Sequence, residues 1–167
     1  MGRILIDADG CPVVDAAVRI AREYEWNCII LCDTSHYFEK EGAETVTVAK
    51  GPDSVDFVLV NMVEAGDLVV TQDYGLAAMC LARKAIPISQ NGMVYDQSNI
   101  EGLLMARHTA RKIRNAGGRL KGHKKRTSDM DEIFEEKLRG LLASASDKNE
   151  TMQQTGEINK DKNKKRG

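Results

Sequence analysis

Short apolar runs alternate with amphipathic stretches over the first 90 residues of the chain. The runs have the length and β-branched content of buried strands, and they are Arg3–Ala8, Cys28–Cys32, Glu44–Ala49, Asp67–Thr71 and Ala85–Ser89. The stretches with helical spacing are Val13–Tyr24, a segment that begins near Ser54 and is ended by Gly66, and Tyr74–Arg83. Strands that alternate with helices form parallel sheets covered on both faces, so the pattern predicts a three-layer α/β domain with about five strands.

Two further helices are predicted beyond this core, over Ile100–Ala116 and Asp129–Leu142. Asn99 is placed to cap the first, and Gly117 to end it. From residue 144 onward the chain is almost entirely polar and cannot bury enough surface to offset its ordering entropy. The sequence therefore predicts one Rossmann-like domain over residues 1–143, with a core over 1–90 and a helical basic extension over 99–142, followed by a disordered tail over 144–167.

Composition excludes several classes of protein. The 167 residues are 42% hydrophobic and 29% charged, which is typical of a globular protein. No apolar run approaches the roughly 18 residues of a membrane span, and the first strand begins too early for a signal peptide. We therefore expect a cytoplasmic protein with no membrane partner. The four cysteines lack the spacing of a zinc site and are expected to be reduced, structural thiols.

The small net charge of −1 conceals a strong asymmetry. Residues 1–100 carry a net charge of −8, whereas residues 101–128 carry +8. The basic residues of this second segment are Arg107, Arg111, Lys112, Arg114, Arg119, Lys121, Lys124, Lys125 and Arg126. With few aromatic residues among them, they predict contact with the phosphates of a nucleic-acid backbone without reading of bases. The alternative is a solvated face, or one that neutralises the acidic body.

Carboxylates follow each of the first four predicted strands, at the edge where open parallel sheets bind ligands. They are Asp7 and Asp9 after the first strand, Asp33 after the second, Asp53 and Asp56 after the third, and Asp73 after the fourth. Crowded like charges repel one another, and a divalent cation keeps such a cluster ionised. Since the donors are all oxygens, we expect Mg²⁺ or Mn²⁺ at Asp7, Asp9, Asp73 and one of Asp53 and Asp56.

Each of these residues also has a plain structural interpretation. Asp53 is placed to cap the helix after the third strand, and Asp73 to cap the helix after the fourth. Asp33 fits a turn, and His36 fits a loop more readily than a ligand position. Asp7 is harder to explain in this way, because an Asp at the end of an apolar strand is costly to bury without a partner. The prediction therefore rests on the convergence of several carboxylates.

Several segments match motifs of a known family. They are Ile4–Val13 (ILIDADGCPV), Gly51–Asp56 (GPDSVD), Asp67–Asp73 (DLVVTQD), and the stretch from Arg107 through Gly117 and Gly118 to the Thr127–Leu142 helix. In these motifs the chain resembles the YaiI/YqxD family of uncharacterised bacterial proteins. The resemblance covers about residues 3–142 and leaves the tail outside it.

That family is grouped with the PIN-like domains, which are metal-dependent nucleases of RNA and sometimes of DNA. By this resemblance Asp7 corresponds to the acidic residue that ends the first strand. Asp53 or Asp56 corresponds to the one that opens the helix before the fourth strand, and Asp73 to the Asp of a Thr-x-Asp pattern. A typical PIN domain adds a Glu in its second helix. This chain has no secure equivalent, and Asp9 is the candidate substitute.

Three hypotheses follow. The first is a divalent-metal nuclease acting on RNA, with Asp7, Asp9 and Asp73 as catalytic residues and the basic segment holding the backbone. The second is a phosphatase of the haloacid dehalogenase type, in which Asp7 forms an aspartyl phosphate and Asp9 is the acid and base. The third is a non-catalytic RNA-binding or regulatory module. The oligomeric state stays open, since the Met79–Ala82 helix could belong to the core or to a homodimer face.

Overall fold

The computed structural model describes residues 2–122 and 124–164, with side chains up to residue 148 and at residue 151. Its central sheet has five strands. They are β1 (Arg3–Asp7), β2 (Asn27–Asp33), β3 (Glu44–Val48), β4 (Leu68–Val70) and β5 (Ile86–Ile88). All neighbouring strands are parallel, and their order is β3-β2-β1-β4-β5. The chain builds outward from β1 to β3 and then crosses to the other side of β1, so the topological switch point lies between β1 and β4.

Helices cover both faces of this sheet. They are α1 (Val14–Glu23), α2 (Ser54–Met62), α3 (Tyr74–Ala82), α4 (Ile100–Asn115) and α5 (Ser128–Lys164). Helices α1 and α5 pack on one face, α2 and α3 on the other, and α4 lies against α3. The predicted three-layer α/β fold with a parallel five-stranded sheet and two C-terminal helices is confirmed.

The alternation of side chains along the central strands explains why both faces need a cover. In β1, Ile4 and Ile6 point to the core of α1 and α5, and Leu5 points to the core of α2 and α3. All three side chains are completely buried. Strands that are apolar on both faces read as continuous runs in the sequence, and this is the signal that predicted a parallel sheet.

The predicted strands, and the predicted ends of α1, α3 and α4, agree with the structure to within one residue. Helix α5 differs, because it continues past Leu142 to Lys164. The added segment lacks proline and is rich in good helix formers. Leu142 is the last buried residue among the described side chains of α5. A helix without tertiary packing is marginal in water, so disorder of residues 144–167 stays a prediction, and 165–167 lie outside the described residues.

Three of the four cysteines are buried packing groups. Cys28, Cys32 and Cys80 are free and buried in the two cores, and Cys11 is free and partly buried. Burial raises the pKa of Cys28 to about 12, and burial is also the main cause that raises the pKa of Cys80 to about 12. These two thiols are therefore protonated packing groups. Among the described residues, no helix combines the length and apolar character that crossing a membrane requires.

Candidate functional site

The carboxyl ends of β1 and β4 flank the switch point, where open α/β sheets bind their ligands. Asp7 is the last residue of β1, and Thr71 directly follows β4. The Thr71 hydroxyl donates a hydrogen bond to Asp7 Oδ2 at 2.9 Å and accepts one from the Asp73 backbone N–H at 3.0 Å. One buried hydroxyl thus fixes both acidic residues of this edge relative to each other.

Asp73 has two further partners. Its Oδ1 accepts a hydrogen bond from the Leu76 backbone N–H at 3.0 Å, so Asp73 caps α3 as its position in the sequence suggested. The same oxygen lies 3.3 Å from Nη1 of Arg107, which α4 brings over the edge of the sheet. The Asp73 side chain can therefore cap α3 and also belong to the acidic edge of the sheet. Arg107, the first residue of the predicted basic segment, contacts this side chain.

Asp56 lies in the first turn of α2, within electrostatic reach of Asp7 and Asp73. Burial is the main cause that raises the pKa of Asp56 to about 6, and the negative charges of Asp73 and Asp7 raise it further. Asp53 is exposed at the N-cap position of α2, with a left-handed φ of 55°, and its side chain forms no capping hydrogen bond. The interpretation of Asp53 as a capping side chain is therefore wrong, and the choice between Asp53 and Asp56 as a metal ligand stays a prediction.

The electrostatics of Asp7 are governed mainly by its burial. Burial raises the pKa of Asp7 to about 6, the hydrogen bond from Thr71 opposes this, and the charges of Asp9 and Asp73 add to it. A bound cation would relieve both the desolvation and the repulsion. The donors are carboxylate oxygens, which suit Mg²⁺ or Mn²⁺. The three carboxylates Asp7, Asp56 and Asp73 therefore fit a hard divalent cation chemically.

Asp9 belongs to a second group on the β2 side of Asp7. Its Oδ2 accepts a hydrogen bond from the Asp33 backbone N–H at 3.2 Å, and its Oδ1 lies 2.9 Å from Nδ1 of His36. Asp33 forms the predicted turn, because its Oδ1 accepts from the Ser35 N–H at 2.7 Å, and this hydrogen bond is the main cause that lowers its pKa. Sequence reasoning placed His36 in a loop, which is correct, but missed its contact with Asp9.

A cavity of about 60 Å³ separates the ends of β1 and β4. Its lining residues are Asp7, Asp9, Gly10, Cys11, Val70, Thr71, Gln72 and Gln90. Among the described side chains, the buried polar atoms without a hydrogen-bond partner are Oδ1 of Asp9 and Oε1 of Gln90, and both residues line this cavity. Two buried acceptors without a donor favour a polar occupant, either water or a cation.

The basic segment divides into residues bound to the protein and residues exposed to solvent. Arg107 is paired with Asp73, and Arg126 donates to Asp131 Oδ1, Asn91 Oδ1 and the Gln90 carbonyl, each at 2.7 Å. The others are exposed and form no ion pair with a described residue, and they are Arg111, Lys112, Arg114, Arg119, Lys121, Lys124 and Lys125. Direct pairing of this segment with the acidic residues 1–100 is thus limited to Arg107, because Asp131 lies in α5, and Arg126 has a structural role that the sequence did not indicate.

Comparison with known proteins places these residues in a family context. Residues 5–144 match the model of a family described as "Uncharacterized BCR, YaiI/YqxD family". The chain is 52% identical to a UPF0178 protein of Exiguobacterium sibiricum over 145 residues, which cover 87% of this chain and 99% of the relative. It is 48% identical to a UPF0178 protein of Ruminiclostridium cellulolyticum over 136 residues, or 81% and 89% of the two chains. No solved structure matches the chain significantly.

Proposed function

The chain belongs to the YaiI/YqxD family, whose activity is uncharacterised, and we propose that it is a divalent-metal-dependent nuclease that hydrolyses RNA. The observation that carries the proposal is the link that Thr71 makes between Asp7 and Asp73 at the switch point, with Arg107 of the basic segment paired with Asp73 and Asp56 within electrostatic reach of both carboxylates. An acidic edge beside a basic strip is what such an enzyme needs to hold both a cation and a polyanion.

The residues have distinct roles in this proposal. Asp7, Asp56 and Asp73 hold Mg²⁺ or Mn²⁺, Asp9 adds negative charge beside Asp7, and Thr71 orients Asp7 and Asp73. When bound, the cation supplies an activated water and neutralises charge on the phosphodiester. The exposed lysines and arginines of residues 107–125 contact phosphates and position the strand without reading its bases.

RNA as the substrate rests on the resemblance of the motifs to PIN-like domains, and the geometry is compatible with it. The phosphatase hypothesis is less well supported, because Asp9 is engaged by the Asp33 N–H and lies against His36, where it is poorly placed as an acid and base for Asp7. We further propose that the protein acts in the cytoplasm. A homodimer through the partly exposed Met79 of α3 is a separate prediction, to be tested by light scattering.

Calorimetric titration with Mn²⁺ tests the metal site. Wild type should bind Mn²⁺ saturably, Asp7→Asn and Asp73→Asn should each weaken binding at least tenfold, and the exposed Asp53→Asn should bind as wild type does. Cleavage of a labelled single-stranded RNA should be lost in the first two variants and retained in the third. Binding of RNA without cleavage in either metal would leave the non-catalytic binding module, and hydrolysis of a phosphomonoester instead of RNA would favour the phosphatase.

A further inference from the structure

A histidine and two aspartates meet beside the carboxyl end of β2. Nδ1 of His36 lies 2.9 Å from Asp9 Oδ1 and 3.5 Å from Asp33 Oδ1, and the three ligand atoms all lie within 4.8 Å of one another. The side chains are 49%, 27% and 21% exposed for His36, Asp9 and Asp33, so an ion could enter from solvent. Among the described residues, these three form the group of imidazole and carboxylate side chains whose donor atoms lie this close to one another.

The contact between Asp9 and His36 is not a hydrogen bond. Oδ1 of Asp9 is buried and forms no hydrogen bond with a described residue, although Nδ1 of His36 lies 2.9 Å away. Oδ2 of the same carboxylate is satisfied by the Asp33 N–H. A buried carboxylate oxygen without a donor is costly, and a cation shared with the imidazole would satisfy it.

The separations also match those of ligands on one metal ion. With metal–ligand bonds of about 2.1 Å, two ligands at 90° are about 3.0 Å apart, and two at the tetrahedral angle are about 3.4 Å apart. The observed 2.9 Å and 3.5 Å correspond to these values. Asp33 is held in place by the Ser35 N–H, which bonds to the same Oδ1 and leaves a second lone pair available.

We propose that Asp9, Asp33 and His36 form a second cation site, which binds a divalent transition metal, Zn²⁺ or Mn²⁺, in preference to Mg²⁺. Imidazole is a ligand of Zn²⁺ and related ions, whereas Mg²⁺ is bound almost entirely by oxygen. Three protein ligands leave a coordination position for water or an anionic oxygen, as in catalytic zinc sites. This second site goes beyond the proposed nuclease function. Its ligands lie beside the carboxyl end of β2, and their binding of a cation does not require that Asp7, Asp56 and Asp73 bind a metal.

Zinc titration of the full chain by calorimetry, in excess Mg²⁺ to occupy the Asp7 cluster, tests the proposal. We expect His36→Ala and Asp33→Asn each to weaken Zn²⁺ binding at least tenfold. The matched control is His108→Ala, which removes an exposed histidine of α4 and should leave Zn²⁺ binding unchanged. Asp7→Asn and Asp73→Asn should also keep it, since their side chains are outside the proposed site.

Two results would overturn the second site. One is wild-type affinity for Zn²⁺ in both His36→Ala and Asp33→Asn, and the other is loss of Zn²⁺ binding in Asp7→Asn or Asp73→Asn instead. No detectable Zn²⁺ binding by wild type would do the same and would leave His36 and the two aspartates as an ion-pair network. If Asp33→Asn fails to fold by circular dichroism, His36→Ala decides alone, because this half-exposed loop residue is not part of either core. Failure of the Mn²⁺ and RNA experiments above leaves this result untouched.

Discussion

Thr71, which directly follows β4, donates a hydrogen bond to the carboxylate of Asp7, the last residue of β1. The hydroxyl donates to Asp7 Oδ2 at 2.9 Å and accepts from the Asp73 N–H at 3.0 Å. Its backbone carbonyl accepts from the Tyr95 hydroxyl at 3.3 Å, which ties the same residue to the core beneath α4. Thr71 is therefore a positioning residue that connects β1, β4 and the helical extension.

Replacement of Thr71 by valine keeps the shape of the side chain and removes the hydroxyl. We expect the free energy of unfolding to fall by about 1–2 kcal/mol, because a partly buried carboxylate and a partly buried N–H each lose this partner. Mn²⁺ binding should weaken as well, since Asp7 and Asp73 are no longer fixed relative to each other. Thr71→Ser restores the hydroxyl and should recover metal binding. Equal metal affinity in Thr71→Val and wild type would argue against positioning.

Asp7→Asn should stabilise the metal-free protein at neutral and alkaline pH. Burial raises the pKa of Asp7 to about 6 from 3.8, so its contribution to stability is complete below pH 3.8 and is lost as the pH rises through about 6. Asparagine stays neutral and can still accept from Thr71. We expect a gain of roughly 1–3 kcal/mol in the free energy of unfolding at pH 8, and little difference at the pH where unfolded Asp is protonated.

Urea denaturation across this pH range measures the difference between Asp7→Asn and wild type. Asp15→Asn is a suitable control, because Asp15 is 79% exposed and its pair with Lys40 lies on the surface of α1. A gain that is the same at every pH would show that the charge of Asp7 is not its cause. Adding Mn²⁺ should reverse the order of stability, since wild type alone would bind the ion strongly.

The fold was predictable because hydrophobic periodicity is local information. Runs that are apolar on both faces, with helices between them, specify a parallel sheet without knowledge of any contact. The same topology brings strand ends to one edge, and this is why Asp7 and Asp73 were found. The absence of a capping hydrogen bond at Asp53 could not be predicted, because the left-handed backbone of this residue is not encoded in helix spacing.

The second acidic group was missed for a related reason. Asp9 lies beyond the end of β1, next to Gly10 with a φ of 70°, and the direction of its side chain depends on this turn. His36 stands in a loop, where the sequence offers no periodicity to place a ring. Arg126 was included in the basic segment because the partners that fix it, Gln90 and Asn91, are 35 residues or more away in the chain.

Arg107→Gln removes the positive charge that is paired with Asp73 at the edge of the sheet. Arg107 competes with a cation for Asp73, so its removal should raise Mn²⁺ affinity by up to about fivefold, as expected for a half-exposed ion pair. RNA affinity should fall, and the slope of log affinity against log salt should become shallower by about 0.7 for each phosphate that the protein no longer neutralises. Arg111→Gln is the matched control, which should weaken RNA binding in the same way without changing Mn²⁺ affinity.

Arg126→Gln should lower the stability of the protein, whereas Lys125→Gln should weaken RNA binding with little change in stability. Arg126 bonds to the 90–91 loop and to Asp131 of α5, so its replacement should lower the free energy of unfolding by about 1–3 kcal/mol. Lys125 is exposed, and its replacement should change stability by less than about 0.5 kcal/mol while weakening RNA binding. Thermal unfolding and RNA titration of both variants check this, and equal stability of the two would contradict a structural role for Arg126.

Helix α5 should divide into a part that supports the fold and a part that does not. Phe134, Leu138 and Leu142 are completely buried against α1 and the sheet, so Leu142→Ala should lower the free energy of unfolding by about 2–5 kcal/mol. Ending the chain after Ser146 removes no buried described side chain and should change it by less than about 0.5 kcal/mol. Chemical denaturation of the two proteins provides the comparison. A large fall in stability on truncation would mean that the tail packs on the domain, because helical hydrogen bonds alone contribute little to global stability.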